Sequence, residues 1–290
     1  MRVIVSYSGG KDSQACLIHA IEKYGADKIT AVFCDTGWEH PETYKHIENT
    51  CKQLEVKLIT LKSKFDFVSL AIHKKRFPST QARFCTVELK VKPMIDYILS
   101  LDDSCIVIQG IRANESASRA AMEVECMYFK EYFTPNKRGK KSSYRGKDVR
   151  EYCEKHDASV FRPIFTWSAQ KVIDYILNSG QQPNPLYSRG FSRVGCFPCI
   201  MNTHLNTRLI GNDIIMKNRL IEAEKQVMKY PPTGSCFFPP GYIPKWACNN
   251  KNYATVEEVF NYLSNKNATL DIFEPGEGYS CMSMYFGLCE

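Results

Sequence analysis

The chain has 290 residues, 44% of them hydrophobic and 12% aromatic, with a formal net charge of +7. That is enough apolar material to bury a substantial core, and it excludes a disordered chain. The N-terminus carries one basic residue and a five-residue apolar run before two glycines, and no apolar stretch nears membrane-spanning length, so a cytoplasmic protein without membrane contact is expected.

The first predicted strand is VIVSY at 3–7, followed by a helix at 13–24. A strand at 29–34 (ITAVFC) precedes a helix at 41–54, whose Pro41 stands at the first-turn position that proline tolerates. Strands at 56–61 (VKLITL) and 105–109 (CIVIQ) flank a helix at 87–101. This alternation predicts an α/β fold with a doubly wound parallel sheet. Beyond about residue 125 the pattern weakens into a basic stretch, a strand-plus-helix unit at 160–177 and a Pro- and Cys-rich tail. The expected organisation is a nucleotide-binding domain over 1–165, with a basic insertion at about 130–150, and a smaller helical, Cys-rich region over 166–290.

SGGKDS at 8–13 falls where the first strand meets its helix. In an open parallel sheet, ligands bind at the carboxyl ends of the strands. Glycines let backbone N–H groups approach an anion, the helix dipole favours it, and Lys11 adds a full charge, so the stretch reads as a phosphate cradle. It is not the common G-x-x-x-x-G-K-[ST] loop, since the spacing is shorter and Asp12 separates Lys11 from Ser13. The bland alternative is a glycine turn with a solvated lysine.

SGGKDS resembles the pyrophosphate loop (PP-loop) of the ATP pyrophosphatases, the adenine nucleotide α hydrolase-like superfamily with a HUP-like Rossmannoid fold. DTGWEHPETY at 35–44, RFCTVELKVKP at 83–93 and GIRANESASR at 110–119 resemble, in that order, motifs of the phosphoadenosine phosphosulfate (PAPS) reductase family within it. The resemblance covers roughly residues 1–200. It implies ATP and Mg2+ as ligands, with Ser8, Gly9, Gly10, Lys11, Asp12 and Ser13 holding phosphates. It places Asp35, Thr36 and Gly37 near the nucleotide, with Gly110, Arg112 and Arg119 closing over it, and gives Lys11, Asp12 and Arg112 catalytic roles.

Sulfonucleotide reductases of this family typically lack the loop lysine and end in Glu-Cys-Gly-x-His. This chain retains Lys11 and closes in GLCE at 287–290. Both departures favour ATP cleavage between the α and β phosphates, adenylylation of a substrate and sulfur transfer. The resemblance in type is to phosphorothioate-DNA modification and tRNA-thiolation sulfurtransferases, which implies a DNA or tRNA substrate and a sulfur donor such as a cysteine desulfurase. The alternatives are an APS or PAPS reductase and a nucleotide-sensing or nucleic-acid-binding module without turnover.

Thirteen cysteines without an export signal argue against a disulfide framework. GCFPC at 195–199 is a C-x-x-C turn that suits metal, a redox dithiol or a zinc knuckle. By resemblance to the family's iron-sulfur reductases, Cys85, Cys196 and Cys199 are ligands of a [4Fe-4S] cluster, with Zn2+ as the alternative. The family's tandem Cys-Cys is Phe84-Cys85 here, and Cys281 and Cys289 are the candidates for the remaining ligand. For Cys16, Cys34, Cys51, Cys105, Cys126 and Cys153 buried packing is expected. Cys236 and Cys248 stay open. His40 reads either as a nucleotide contact or as a surface residue beside a helix start.

Between residues 130 and 150 eight basic residues face two acidic ones, a local +6 that reads as one loop. Lys137, Arg138, Lys140, Lys141 and Arg145 are its candidate nucleic-acid contacts, with Tyr132, Phe133 and Tyr144 interleaved as stacking platforms. A solvated insertion is an equally good reading.

Overall fold

A computed structural model describes residues 1–136, 139–229, 236–249 and 253–265. Six strands form one sheet: β1 (Arg2–Ser6), β2 (Ile29–Asp35), β3 (Lys57–Lys62), β4 (Cys105–Ile108), β5 (Glu125–Met127) and β6 (Ala158–Phe161). Their order is β3-β2-β1-β4-β6-β5. Every pairing is parallel except β5 against β6.

The sheet is buried on both faces because its strands alternate two apolar sets. Val3 and Val5 of β1, with Ile29, Ala31 and Phe33 of β2, face one core. That core is covered by α1 (Lys11–Tyr24), α2 (Pro41–Gln53) and the helix Ala169–Asn178. Ile4, Val32 and Val107 face the other, under the helices Lys92–Ser100 and Gly146–Lys155. The fold is therefore α/β and doubly wound, as the alternation predicts. The helix Ala169–Asn178 lies past residue 165 yet packs on α1 through Val172 and Ile176.

Three elements differ from expectation. β5 is a three-residue antiparallel edge strand in a stretch read as irregular. The helix expected at 87–101 opens with a π-helical turn at Val87–Val91, which carries Lys90, before the regular helix Lys92–Ser100. α3 (Phe67–Lys74), capped by Asp66, was not anticipated. It packs in a third core with Trp38 and the later helices His204–Asn212, Ile214–Met228 and Val256–Ser264. Among the described residues no helix is long and apolar enough to cross a membrane.

Candidate active site at the carboxyl edge of the sheet

β1 delivers the chain into the phosphate loop and α1 carries it away. Gly9 has φ +79°, and a Cβ there would lie 2.8 Å from Ile47 and 2.9 Å from Thr43 of α2, so only glycine fits. Gly10 caps α1 without a side chain. Ser13 turns inward: its hydroxyl donates to the Gly10 carbonyl at 3.0 Å and accepts the Ser8 N–H at 3.2 Å. The serine thus braces the loop, with its side chain spent on the backbone. Lys11 stands at the mouth, its side chain 13% exposed and its ammonium 3.6 Å from Asp12. Tyr187 meets it from outside, with its ring 5.1 Å from that ammonium and its hydroxyl accepting the Lys11 N–H at 3.0 Å.

The loop after β4 crosses the first turn of α1 at van der Waals distance or closer. A Cβ on Gly110 would lie 2.7 Å from Asp12 C and Ser13 N, which makes glycine a requirement of backbone approach. Two residues on, Arg112 donates from Nε to Asp12 Oδ1 at 2.6 Å and from Nη1 to Asn114 at 2.9 Å. Glu115 accepts the Arg112 N–H at 3.0 Å and pairs with Arg119. Both arginines are 2% exposed. Arg112 and Arg119, expected against the nucleotide, are the counterions of Asp12 and Glu115, and buried carboxylates require such compensation. Asp12 is shared between Arg112 and the Lys11 ammonium.

The DTGWEHP stretch closes on itself in the same way. Asp35 accepts the Gly37 N–H at 2.8 Å, and the Tyr44 hydroxyl lies 2.7 Å from Asp35 and 3.0 Å from Glu39. Burial, with Glu39 beside it, pushes the Tyr44 phenol well above its ordinary range. Thr36 donates its hydroxyl to Glu39 at 2.7 Å, and Gly37 takes φ +66° against Asp66. Lys62 lies 3.3 Å from Asp35. His40 is 6% exposed and so is not the surface residue of the second reading. It caps α2, accepting the Glu42 N–H on Nδ1 at 3.0 Å, and packs edge-on against Phe197, where burial lowers its pKa.

A small depression lies beside the loop, bordered by Ser8, Cys34, Glu39, Lys90 and Gly195 among others. Cys34, expected in packing, thus borders it, and Glu39 and Lys90 were not singled out from sequence. Their signal was their position inside two recognised motifs. A second cleft is lined by Cys85, Cys196 and Cys199 with Arg83 and Lys90. Lys90 borders both. The hairpin that carries two of these thiols is fastened to the β2 loop: Phe197 N–H donates to the Trp38 carbonyl at 2.7 Å, and Trp38 Nε1 donates to the Pro198 carbonyl at 3.0 Å.

Soft thiols flanked by two cations have the chemistry of a thiolate site. Among the described residues, however, no three His, Cys, Asp or Glu side chains come together as a metal-ligand set. Cys281 and Cys289 lie outside the described residues. Cys16, Cys51 and Cys105 are buried in the cores, while Cys126 and Cys153 are half-buried.

The basic stretch is not a single loop. Lys130–Phe133 is a helical turn and a full helix starts at Gly146. Tyr132 is 4% exposed and donates to the Tyr144 carbonyl at 2.7 Å, so it packs where base stacking was expected. The Tyr144 hydroxyl donates to Asp96 at 2.9 Å. Arg145 is held by Asp148 at 2.6 Å and Asp96 at 3.0 Å. Lys140 and Lys141 are exposed, and Lys137 and Arg138 lie outside the described residues.

The phosphoadenosine phosphosulfate reductase domain model matches residues 2–202. A 37.8 kDa protein of Escherichia phage 186 is 29% identical over 99% of this chain and 96% of its own. A Methanocaldococcus jannaschii protein is 31% identical over 68% of this chain, which spans only 36% of that relative. Adenosine 5'-phosphosulfate reductase of Streptomyces coelicolor is 27% identical over 59% of this chain and 61% of its own. The crystal structure of phosphoadenylyl-sulfate reductase from Candida auris, a phosphate complex, aligns at a TM-score of 0.46 with 18% identity, over 68% of this chain and 81% of that one. With a match that spans the sheet, the SGGKDS loop and the C-x-x-C hairpin, the chain belongs to the phosphoadenosine phosphosulfate reductase domain family.

Proposed function

We propose that the protein is an ATP pyrophosphatase that adenylylates a substrate for sulfur transfer, with a nucleic acid as that substrate. The observation that carries this reading is Lys11, placed in the first turn of α1, whose N-cap Gly10 offers no side chain, on the carboxyl edge of the sheet. A leaving pyrophosphate needs positive charge and backbone donors where its own charge develops, and this position offers both. An oxygen of the substrate bonds to the α-phosphorus as the bond to the pyrophosphate oxygen breaks. Lys11 and the loop amides hold the leaving group, and Mg2+ brought with ATP adds charge neutralisation. The terminal sulfur of a donor persulfide, as on a cysteine desulfurase, then bonds to the activated atom as that atom's bond to the AMP oxygen breaks, and a thiol releases the transferred sulfur by taking the donor sulfur into a disulfide.

The shared cleft of Cys85, Cys196 and Cys199 supports a thiolate-held [4Fe-4S] cluster, or Zn2+, completed by Cys281 or Cys289. No step above runs through it. A sulfonucleotide reductase is the second reading, supported by the name of the Streptomyces relative. Lys11 weighs against it.

Incubating the protein with ATP and DNA or tRNA tests the first reading, which expects AMP and pyrophosphate. Sulfite released from activated sulfate, with no pyrophosphate from ATP, establishes the second. Neither product, with nucleotide still bound, leaves a sensing module.

A further inference from the structure

Tyr187 reaches the phosphate loop from a distant part of the chain. It belongs to the helical turn Pro185–Ser188, and its hydroxyl takes the N–H of Lys11, 176 positions away, at 3.0 Å. That N–H is the first of α1, and Gly10 has no side chain to satisfy it. It is one of the first-turn donors that an anion would use. The same ring lies 5.1 Å from the Lys11 ammonium, within cation–π range.

The segment is fastened behind the loop. Asn184, 1% exposed, donates to the Gly9 carbonyl at 3.2 Å and accepts the Leu186 N–H at 3.0 Å. Gln14 of α1 donates to the Gln182 carbonyl at 2.9 Å. The phenol therefore reaches the loop from a backbone anchored to it, its ring partly buried against the third core.

We propose that Tyr187 sets the binding threshold of the phosphate loop. Its hydroxyl holds the seat of one phosphate oxygen on the Lys11 amide, its ring holds the Lys11 ammonium, and an incoming polyphosphate displaces both. The inference rests on the reading of residues 8–13 as a pyrophosphate site. A charged oxygen is a stronger acceptor than a neutral phenol, so a polyphosphate wins the amide. Displacing the phenol is a fixed cost for every anion. A ligand with many contacts to the loop overcomes it, and one with few does not.

The test is calorimetric titration of inorganic pyrophosphate and of ATP into the full chain and its Tyr187→Phe variant. Phenylalanine keeps the ring beside Lys11 and deletes only the competing hydroxyl. Pyrophosphate should then bind roughly three- to tenfold more tightly, the scale of one neutral hydrogen bond no longer opposed. A residue that merely supported the loop would give weaker binding on substitution, so the sign separates the two roles. Binding that is unchanged or weaker in Tyr187→Phe, with wild-type protein still binding, overturns the inference and leaves the pyrophosphate site standing. Binding by the variant alone supports displacement outright. If neither protein binds pyrophosphate or ATP, the reading of the loop fails and this inference with it.

Discussion

Asp12 and Arg112 form an ion pair of 2.6 Å between side chains that are only 3% and 2% exposed, and it joins the first turn of α1 to the loop after β4. Removing one partner of such a pair strands the other charge in a medium that cannot solvate it. Asp12→Ala and Arg112→Ala should each cost about 3–5 kcal/mol of stability, read as a lower urea midpoint. The double variant should lose less than the sum of the two. Single losses below about 1 kcal/mol would mean that the pair is solvated and that Arg112 is available to ligand.

Lys11 should behave in the opposite way. Its side chain is 13% exposed and its ammonium meets Asp12 and the Tyr187 ring at the mouth of the loop, so Lys11→Ala should cost less stability than either half of the Asp12–Arg112 pair, about 1–2 kcal/mol. Release of pyrophosphate from ATP should fall by about a hundredfold or more, as when one donor to a developing anion is removed. Unchanged pyrophosphate release by Lys11→Ala would remove the basis for the ATP-cleaving assignment.

The contrast between these neighbours marks what a linear reading can recover. β1, β2 and β4 were legible to within a residue or two because short, near-continuous β-branched-rich runs between helices admit few other structures. The loop was legible because glycines, lysine and serine carry their chemistry locally. The direction in which Arg112 turns was not, since its partner Asp12 lies 100 positions upstream. β5 escaped notice because three residues cannot display a period. α3 did so because Phe67, Leu70 and Ala71 bury against helices more than a hundred residues later. The thiols were found by motif, and their common cleft depends on Trp38 fastening the hairpin.

If the cleft holds a [4Fe-4S] cluster, protein purified without oxygen should be brown and contain about four irons per chain. Cys196→Ser and Cys199→Ser should each abolish the colour, and Cys85→Ser should do the same. Stoichiometric zinc in colourless protein would establish the structural-metal alternative. Full iron content in Cys85→Ser would remove that residue from the ligand set.

Glu224 gives the stability of the C-terminal helices a pH dependence of defined sign. It is 4% exposed and accepts the Phe237 N–H at 2.9 Å and the Val256 N–H at 2.7 Å. Burial pushes its carboxyl up to about 7 from an ordinary 4.5. A raised pKa means that the folded state keeps its proton longer than the unfolded state does. The contribution is therefore complete below about pH 4.5 and is lost as pH rises through about 7. Between these limits the stability of wild type relative to Glu224→Gln should fall by up to about 3 kcal/mol, measured by urea unfolding. A difference that instead grows with pH would show that the two amides hold the carboxylate form.

The basic stretch can be tested by separating its exposed lysines from its paired arginine. A polymer that loses phosphate contacts releases fewer counterions, so each contact removed lowers the salt slope of duplex binding by about one. Replacing Lys140 and Lys141 by glutamate should flatten the dependence of DNA or tRNA affinity on salt by about two or more. Arg145→Ala should leave that slope nearly unchanged and instead lower stability, because its guanidinium already serves Asp96 and Asp148. ATP binding should survive both changes, since neither lysine nor Arg145 borders the depression beside the phosphate loop. A salt slope that ignores the two lysines but collapses in Arg145→Ala would mean that the ion pairs open on binding. Loss of ATP affinity at constant slope would reassign the stretch to the nucleotide and point to a small-molecule substrate.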